Sequence, residues 1–86
     1  MNSDELIARY IEADPEWSTP GEAHIVGHGV EVWALISYLR VMNGDVDKVA
    51  SAHHLPREAV QAAVAYYNQN KRLVDAEIDL KTISAA

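Results

Sequence analysis

The chain has 86 residues, a length that makes one domain with a small core. It contains no cysteine, which excludes a disulfide framework and a thiolate metal site. Its formal net charge of −6 lacks the strong basic footprint that most nucleic-acid-binding domains carry.

The charge is divided unevenly along the chain. Residues 1–29 contain six acidic residues and one basic residue, a net charge of −5, whereas residues 40–72 contain five basic and three acidic residues, a net charge of +2. No run reaches the roughly 18 apolar residues of a membrane span, and the acidic N-terminus lacks the basic start of a signal peptide. We therefore expect a soluble cytoplasmic protein that does not contact a membrane, with a middle segment whose charge permits DNA binding.

Residues 1–22 are predicted to form an acidic head. Asn2 and Glu5 have the spacing of a capping box, and apolar residues recur behind them at helical spacing. This pattern predicts a helix over Ser3–Ala13, with a strand through Leu6–Glu12 as the alternative. Pro15 ends the element, because the residue before a proline avoids the α region.

Residues 23–32 have β character. Ile25 and Val26 precede a turn in which His28 lies between two glycines, and Val30 and Val32 follow in alternation with a polar residue. The segment predicts a small β-hairpin or an extended arm. A two-stranded piece is marginal alone, so we expect it to pack on the helices or on a second subunit.

The remainder is predicted to be helical. A first helix is predicted over Val32–Met42, because Asn43 and Gly44 stop it, and Asp45 is predicted to cap a second, short helix over Val46–His53. A third helix runs from Pro56 to about Leu80, with an apolar stripe along one side. The fold class is therefore mainly α: a helix-turn-helix three-helix core over residues 23–80, a short N-terminal helix, a small hairpin or arm, and a tail over residues 81–86.

One spacing carries the functional prediction. A helix-turn-helix needs a small residue where its helices touch, an apolar residue in the turn, and apolar residues one and two turns into the second helix. Ala50, Leu55, Val60 and Ala63 meet these demands. His54 stands where the turn often has glycine, a position that favours a left-handed backbone.

The start of the third helix is the predicted DNA-reading element. Arg57 and Gln61 are the candidates for contacts to base edges, and Glu58 is a possible acceptor from cytosine. Lys48 and Arg40 are predicted to lie near phosphates. The alternative is a plain helical hairpin whose polar face is only solvated.

Apolar residues outside the predicted core indicate a protein partner. Trp17 lies in the loop of the head, where a tryptophan suits an interface. Of the neighbouring tyrosines, Tyr67 is predicted to point inward and Tyr66 to lie at the edge, within reach of a partner. The segment over residues 75–86 alternates acidic and apolar residues, and we expect it to be a partly ordered tail that folds onto a basic protein surface. Its apolar contacts are Ile78, Leu80 and Ile83.

No catalytic or metal-binding pattern is apparent. The four histidines have no cysteine or closely spaced carboxylates beside them, and the sequence has no phosphate-binding loop, dinucleotide fingerprint or nucleophile elbow. We expect no metal, no cofactor and no enzymatic activity.

Several segments resemble a known family, the one catalogued as domain of unknown function 433. They are GHGVEVW at residues 27–33, YL at 38–39, GD at 44–45 and LPREAVQAAVAYY at 55–67, and the resemblance extends over residues 23–78. The alanine-rich end with its paired tyrosines is the most specific part. This chain departs from the family's usual Gly-Thr-Arg-Ile-Pro-Val pattern, because His28 and Gly29 replace Thr-Arg and Glu31 replaces Pro.

The resemblance implies a helix-turn-helix domain, often dimeric. It further implies an antitoxin of the VapB type, encoded beside a PIN-like ribonuclease toxin, which neutralises the toxin and represses its own operon. The expected partners are therefore the toxin, operator DNA and a second copy of the chain. The competing hypothesis is a protein–protein interaction module that does not bind DNA, which the acidic head and the alanine-rich third helix favour.

Overall fold

The computed structural model describes residues 2–13 and 23–85, with side chains through residue 82. Within these residues it has five helices and two short strands, which confirms a mainly α fold with a small hairpin. In chain order they are α1 (Ser3–Tyr10), β1 (Ile11–Glu12), β2 (His24–Ile25), α2 (Val32–Val41), α3 (Val46–Ala52), α4 (Arg57–Gln69) and α5 (Lys71–Ala85).

The N-terminal helix begins where its capping residues predict. The side-chain oxygen of Asn2 accepts a hydrogen bond from the backbone N–H of Glu5 at 2.8 Å, and the Asn2 amide also contacts the Glu5 carboxylate. The helix ends at Tyr10, before the predicted Ala13, because the next residues are drawn into strand pairing. The strand alternative for residues 6–12 is therefore right only for the last two.

The predicted hairpin exists, but one of its strands comes from the head. Ile11 pairs with Ile25 in the antiparallel sheet of β1 and β2. The N–H of Ile25 also donates to the carbonyl of Val30 at 2.8 Å, and His24 forms a bridge with Glu31. These bonds fold residues 23–31 back on themselves and place a buried isoleucine pair against the helices.

The core is built around α4, which packs against α1, α2 and α3. Its buried residues are Ala59, Val60, Ala62, Ala63, Ala65 and Tyr66. Four of these six are alanines, so the backbones of neighbouring helices can approach closely on more than one side of α4. Leu6 and Ile7 of α1 cover the core from the side of the head.

The third helix was predicted to be continuous, but the structure divides it into α4 and α5. It breaks at Asn70, whose φ of −132° and ψ of 35° lie outside the helical region. The side-chain amide of Asn70 donates to the carbonyl of Tyr66 at 3.0 Å, and the backbone N–H of Asn70 donates to the same oxygen, so this residue closes the end of α4. The break redirects α5 onto α2, where Val74 and Ile78 are buried.

Candidate nucleic-acid interface

The turn between α3 and α4 follows from how α3 ends. His54 has a φ of +54°, in the left-handed region, at the position after the helix cap. Its N–H donates to the carbonyl of Ser51, and the N–H of Leu55 donates to the carbonyl of Ala50 at 2.9 Å. These two bonds make a Schellman motif, the common ending of a helix whose next residue is left-handed. The sequence prediction that His54 occupies the glycine position is confirmed.

The apolar spacing of the helix-turn-helix is confirmed as well. Ala50, Leu55, Val60 and Ala63 are all buried in one core cluster. Leu55 follows the left-handed residue, so the Schellman bonds aim its side chain back between α3 and α4. The turn therefore fixes the relative placement of the two helices.

Only one face of α4 is left open to a ligand. Arg57, Gln61, Val64 and Asn68 lie at successive spacings of four, three and four residues, and none of them is buried. We call this row the α4 face. Arg57 and Gln61 were predicted from the sequence, whereas Asn68 and Val64 were not, although helical periodicity from Arg57 identifies both.

Arg57 at the start of the α4 face has a partner on α3. Its guanidinium Nη1 lies 3.3 Å from the carboxylate of Asp47. Both side chains are more than half exposed, and such surface pairs contribute little to stability, so the arginine is free to exchange Asp47 for another anion. Glu58 is exposed beside it, which lowers the local positive potential.

Lys48 is exposed on α3, in the helix-turn-helix as predicted. Its backbone N–H is bound by the side chain of Asp45 at 3.1 Å, the cap that begins α3. The capping role predicted for Asp45 is thus confirmed, while the ammonium group of Lys48 remains at the surface.

Arg40 is on α2, outside the helix-turn-helix, in a hydrogen-bond network that joins three helices. Its guanidinium donates to the Asp75 carboxylate at 2.7 Å and to the Tyr67 hydroxyl at 3.1 Å, and that hydroxyl donates to Asp75 at 2.8 Å. The bond from Tyr67 and the charge of Arg40 hold the pKa of Asp75 below its ordinary value, and the same contacts raise the pKa of Arg40. Arg40 therefore has a structural role between α2, α4 and α5.

An open apolar groove of about 510 Å³ runs beside the C-terminal half of the α4 face. It is bordered by the end of α2, the start of α3 and α4, with Val64 and Tyr67 on one wall and Leu39 on the other. Arg40 and Asn68 also line it. The groove is thus continuous with the row of residues that begins at Arg57.

Of the residues predicted to contact a protein partner, the structure describes Tyr66, Ile78 and Leu80, and they do not form one exposed surface. Tyr66 is buried and Tyr67 half-buried, the reverse of the prediction, because Tyr66 lies on the same side of α4 as the core alanines. Burial also raises the pKa of Tyr66. Ile78 is buried against α2, whereas Leu80 is exposed. Trp17 and the side chain of Ile83 lie outside what the structure describes.

The acidic and apolar segment that begins at Asp75 also differs from its prediction. Residues 75–85 were expected to be partly ordered, but they belong to the helix α5, and the packing of Val74 and Ile78 explains why they are helical. Glu77 on the same side is buried too, with Lys81 at 3.7 Å. The apolar residues of this segment are therefore shared between the core and the surface.

Histidines and carboxylates are scattered over the fold. His24 lies 3.2 Å from Glu12 across the sheet, and the ring of His53 contacts the carbonyl of Val49. In residues 2–13 and 23–82, no three side chains of the His, Cys, Asp or Glu types come together as metal ligands. No helix in the described part of the chain is long and apolar enough to cross a membrane.

A mainly α helix-turn-helix domain with one open face on α4 is the class of protein that these features define. The family model described as "Protein of unknown function (DUF433)" matches residues 11–67. The chain therefore belongs to the DUF433 family, and the resemblance seen in its sequence is confirmed. No curated protein and no solved structure matches it.

Proposed function

We propose that this protein is a helix-turn-helix regulator of the antitoxin type. In this function it binds its operator through the α4 face, as a homodimer, and neutralises a PIN-like ribonuclease encoded beside it. The observation that carries the DNA-binding part is the α4 face itself: the start of the second helix of a helix-turn-helix is left open, and polar side chains at one-turn spacing line it.

The placement of Arg57 and Gln61 suits the reading of bases. A recognition helix contacts base edges with residues of its N-terminal half, and both side chains lie in the first two turns of α4. An arginine donates two hydrogen bonds to the O6 and N7 acceptors of guanine, and a glutamine donates to N7 of adenine while it accepts from the N6 amino group. Asp47 pairs with Arg57 in the free protein, and because the pair is solvent-exposed and weak, the guanidinium can leave it to bind DNA.

The DNA test measures the binding of the full chain to its own upstream DNA and to a scrambled duplex, at roughly 50 and 200 mM salt. We expect a preference for the upstream DNA and weaker binding at the higher salt. Arg57→Ala should lose about 5- to 150-fold in affinity, the equivalent of about 1–3 kcal/mol for a bidentate contact to guanine. Arg9→Ala removes the same charge from α1, outside the helix-turn-helix, and is the matched control. Equal losses in both variants would reject the α4 face as the reading element.

The neutralising function is supported by charge. The chain carries a net charge of −6, and a ribonuclease that binds RNA needs a basic surface, so the two are complementary. The test is a titration of the nuclease, acting on a labelled RNA, with this protein. A stoichiometric loss of cleavage supports the proposal, and cleavage that continues at excess protein rejects it.

A second candidate is a module that binds only protein. It is favoured by the ion pairs that occupy two of the three arginines of residues 40–72, Arg57 with Asp47 and Arg40 with Asp75. The double variant Arg57→Ala with Gln61→Ala separates the candidates. If the protein is a DNA-binding regulator, the double variant abolishes operator binding. If it is a module that binds only protein, the unaltered protein already fails to bind DNA, and the variant inhibits the nuclease as the parent does.

A further inference from the structure

The outward side of α5 carries a second apolar row, which the core does not use. Leu73 is 48% exposed and Leu80 is 57% exposed, and the exposed Ala76 lies between them. The spacing of these residues is three and then four, the a–d–a pattern of a heptad, and the sequence continues it with isoleucine at position 83. The opposite side of the helix is already occupied, because Val74 and Ile78 are buried there.

We propose that this row is the interface with a second copy of the chain, in which two α5 helices pack antiparallel about a two-fold axis. An antiparallel pair centred near Ala76 places Leu73 of each copy against Leu80 of the other. The small side chain at the centre lets the helix backbones approach closely. The arrangement is self-complementary, as a two-fold interface requires.

The charges beside the row determine the direction of the pairing. Arg72 and Asp79 are exposed, lie seven residues apart on one edge of the row, and form no ion pair with any other described residue. In the antiparallel pair Arg72 of each copy lies beside Asp79 of the other, which makes two complementary contacts. A parallel pair instead turns Arg72 toward position 77, where Glu77 is buried and bound to its own Lys81.

The predicted interface is small. Two exposed leucines and an alanine from each chain form a short apolar core, and small interfaces of this kind give weak association. We therefore expect a dimer in the micromolar range. The dimer is the state in which helix-turn-helix proteins bind paired half-sites, and in that respect the inference rests on the proposed function. Its test uses no DNA, so the two can fail separately.

The first experiment measures the mass of the full chain by sedimentation over a micromolar concentration series. We expect a monomer–dimer equilibrium in the parent chain and a monomer for Leu80→Asp and for Leu73→Asp. The matched control is Val26→Asp, since Val26 is 47% exposed and lies in the turn after β2. This variant should dimerise as the parent does. Circular dichroism of each variant confirms that the helices are retained.

The second experiment tests the direction with charge changes that leave the leucines intact. Arg72→Asp or Asp79→Arg alone brings like charges together twice and should raise the dissociation constant of the dimer about tenfold. The two single variants mixed together form complementary pairs and should associate more tightly than either alone. The double variant should restore the parent affinity, which a parallel pair does not allow.

Three results would overturn the inference: a monomer at all concentrations, dimerisation that survives Leu80→Asp, or equal losses in Val26→Asp. If Leu80→Asp leaves dimerisation intact but abolishes nuclease inhibition, the row is the nuclease site and the dimer interface lies elsewhere. Failure to bind DNA by a chain that dimerises as described would overturn the proposed function and leave this inference standing.

Discussion

A single carboxylate, that of Asp75, connects α5 to two other helices. It accepts hydrogen bonds from the Tyr67 hydroxyl and from the Arg40 guanidinium, and both contacts favour its charged form. The pKa of Asp75 is therefore lower in the folded chain than in the unfolded chain. A group of this kind stabilises the fold above its unfolded pKa, and the contribution is lost as the pH falls through the folded pKa.

We expect Asp75→Asn to lower the melting temperature at neutral pH and to have little effect at an acidic pH below the lowered folded pKa of Asp75, where the carboxylate of the parent is protonated. The measurement is thermal unfolding of both chains at the two pH values. Asp79→Asn, studied at a dilution where the chain is monomeric, is the control, because Asp79 is exposed on the same helix. A destabilisation by Asp75→Asn that is the same at both pH values would show that shape, and not charge, matters at this position.

At the scale of the element, the turn of the helix-turn-helix can be tested without touching its surface. His54 adopts a left-handed backbone that costs a side-chain-bearing residue about 1–2 kcal/mol, whereas glycine adopts it without strain. Glycine also gains entropy in the unfolded chain, which offsets part of that benefit. We expect His54→Gly to raise the free energy of unfolding by roughly 0.5–1 kcal/mol in urea denaturation.

His28→Gly is the control for this substitution. It introduces the same residue into a turn at a position whose φ is not positive, so only the entropic penalty applies and the variant should be slightly destabilised. A destabilised His54→Gly variant would mean that the imidazole makes a contribution larger than the backbone strain. Operator binding should survive His54→Gly, because the α4 face is unaltered.

Elements with local signals were the predictable ones. The caps at Asn2 and Asp45 and the left-handed turn at His54 depend on bonds within a few residues, and the sequence specifies them. The break at Asn70 has no comparable signal, because asparagine is only moderately unfavourable inside a helix. What decides it is the packing of α5 on α2, a contact between segments about 35 residues apart such as Arg40 and Asp75.

The inverted tyrosine pair has a related cause. The apolar stripe was traced through the larger side chains, Val60, Val64 and Tyr67, which share one side of α4. Besides Val60, the core uses the alanines at 59, 62, 63 and 65, whose small size hid the buried side. A helix packed on several sides buries residues around most of its circumference, so the phase of its large residues does not locate the core. Because α4 is buried around most of its circumference, the sequence predicted only part of the α4 face: it identified Arg57 and Gln61 but not Asn68.

At the scale of the whole molecule, the fold is larger than the segment that defines the family. The family match covers residues 11–67, yet α1 packs on α4 and α5 packs on α2 from outside it. Both outer helices supply apolar side chains to the same core, among them Leu6, Val74 and Ile78. We therefore expect residues 3–85 to unfold as one cooperative unit.

The substitution Ile78→Ala tests this expectation, because it changes a buried residue that lies eleven positions beyond the family match. Removing a buried isoleucine to alanine costs about 2–5 kcal/mol, a large share of the roughly 4–13 kcal/mol expected for a domain of this size. The loss should appear in a single unfolding transition, recorded both by helical circular dichroism and by tryptophan fluorescence, with coincident midpoints. Thr82→Ala, exposed on the same helix, should leave the midpoint unchanged. If α5 were an appendage that docks independently, Ile78→Ala would instead produce an early loss of part of the helical signal while Trp33, on α2, kept its native fluorescence.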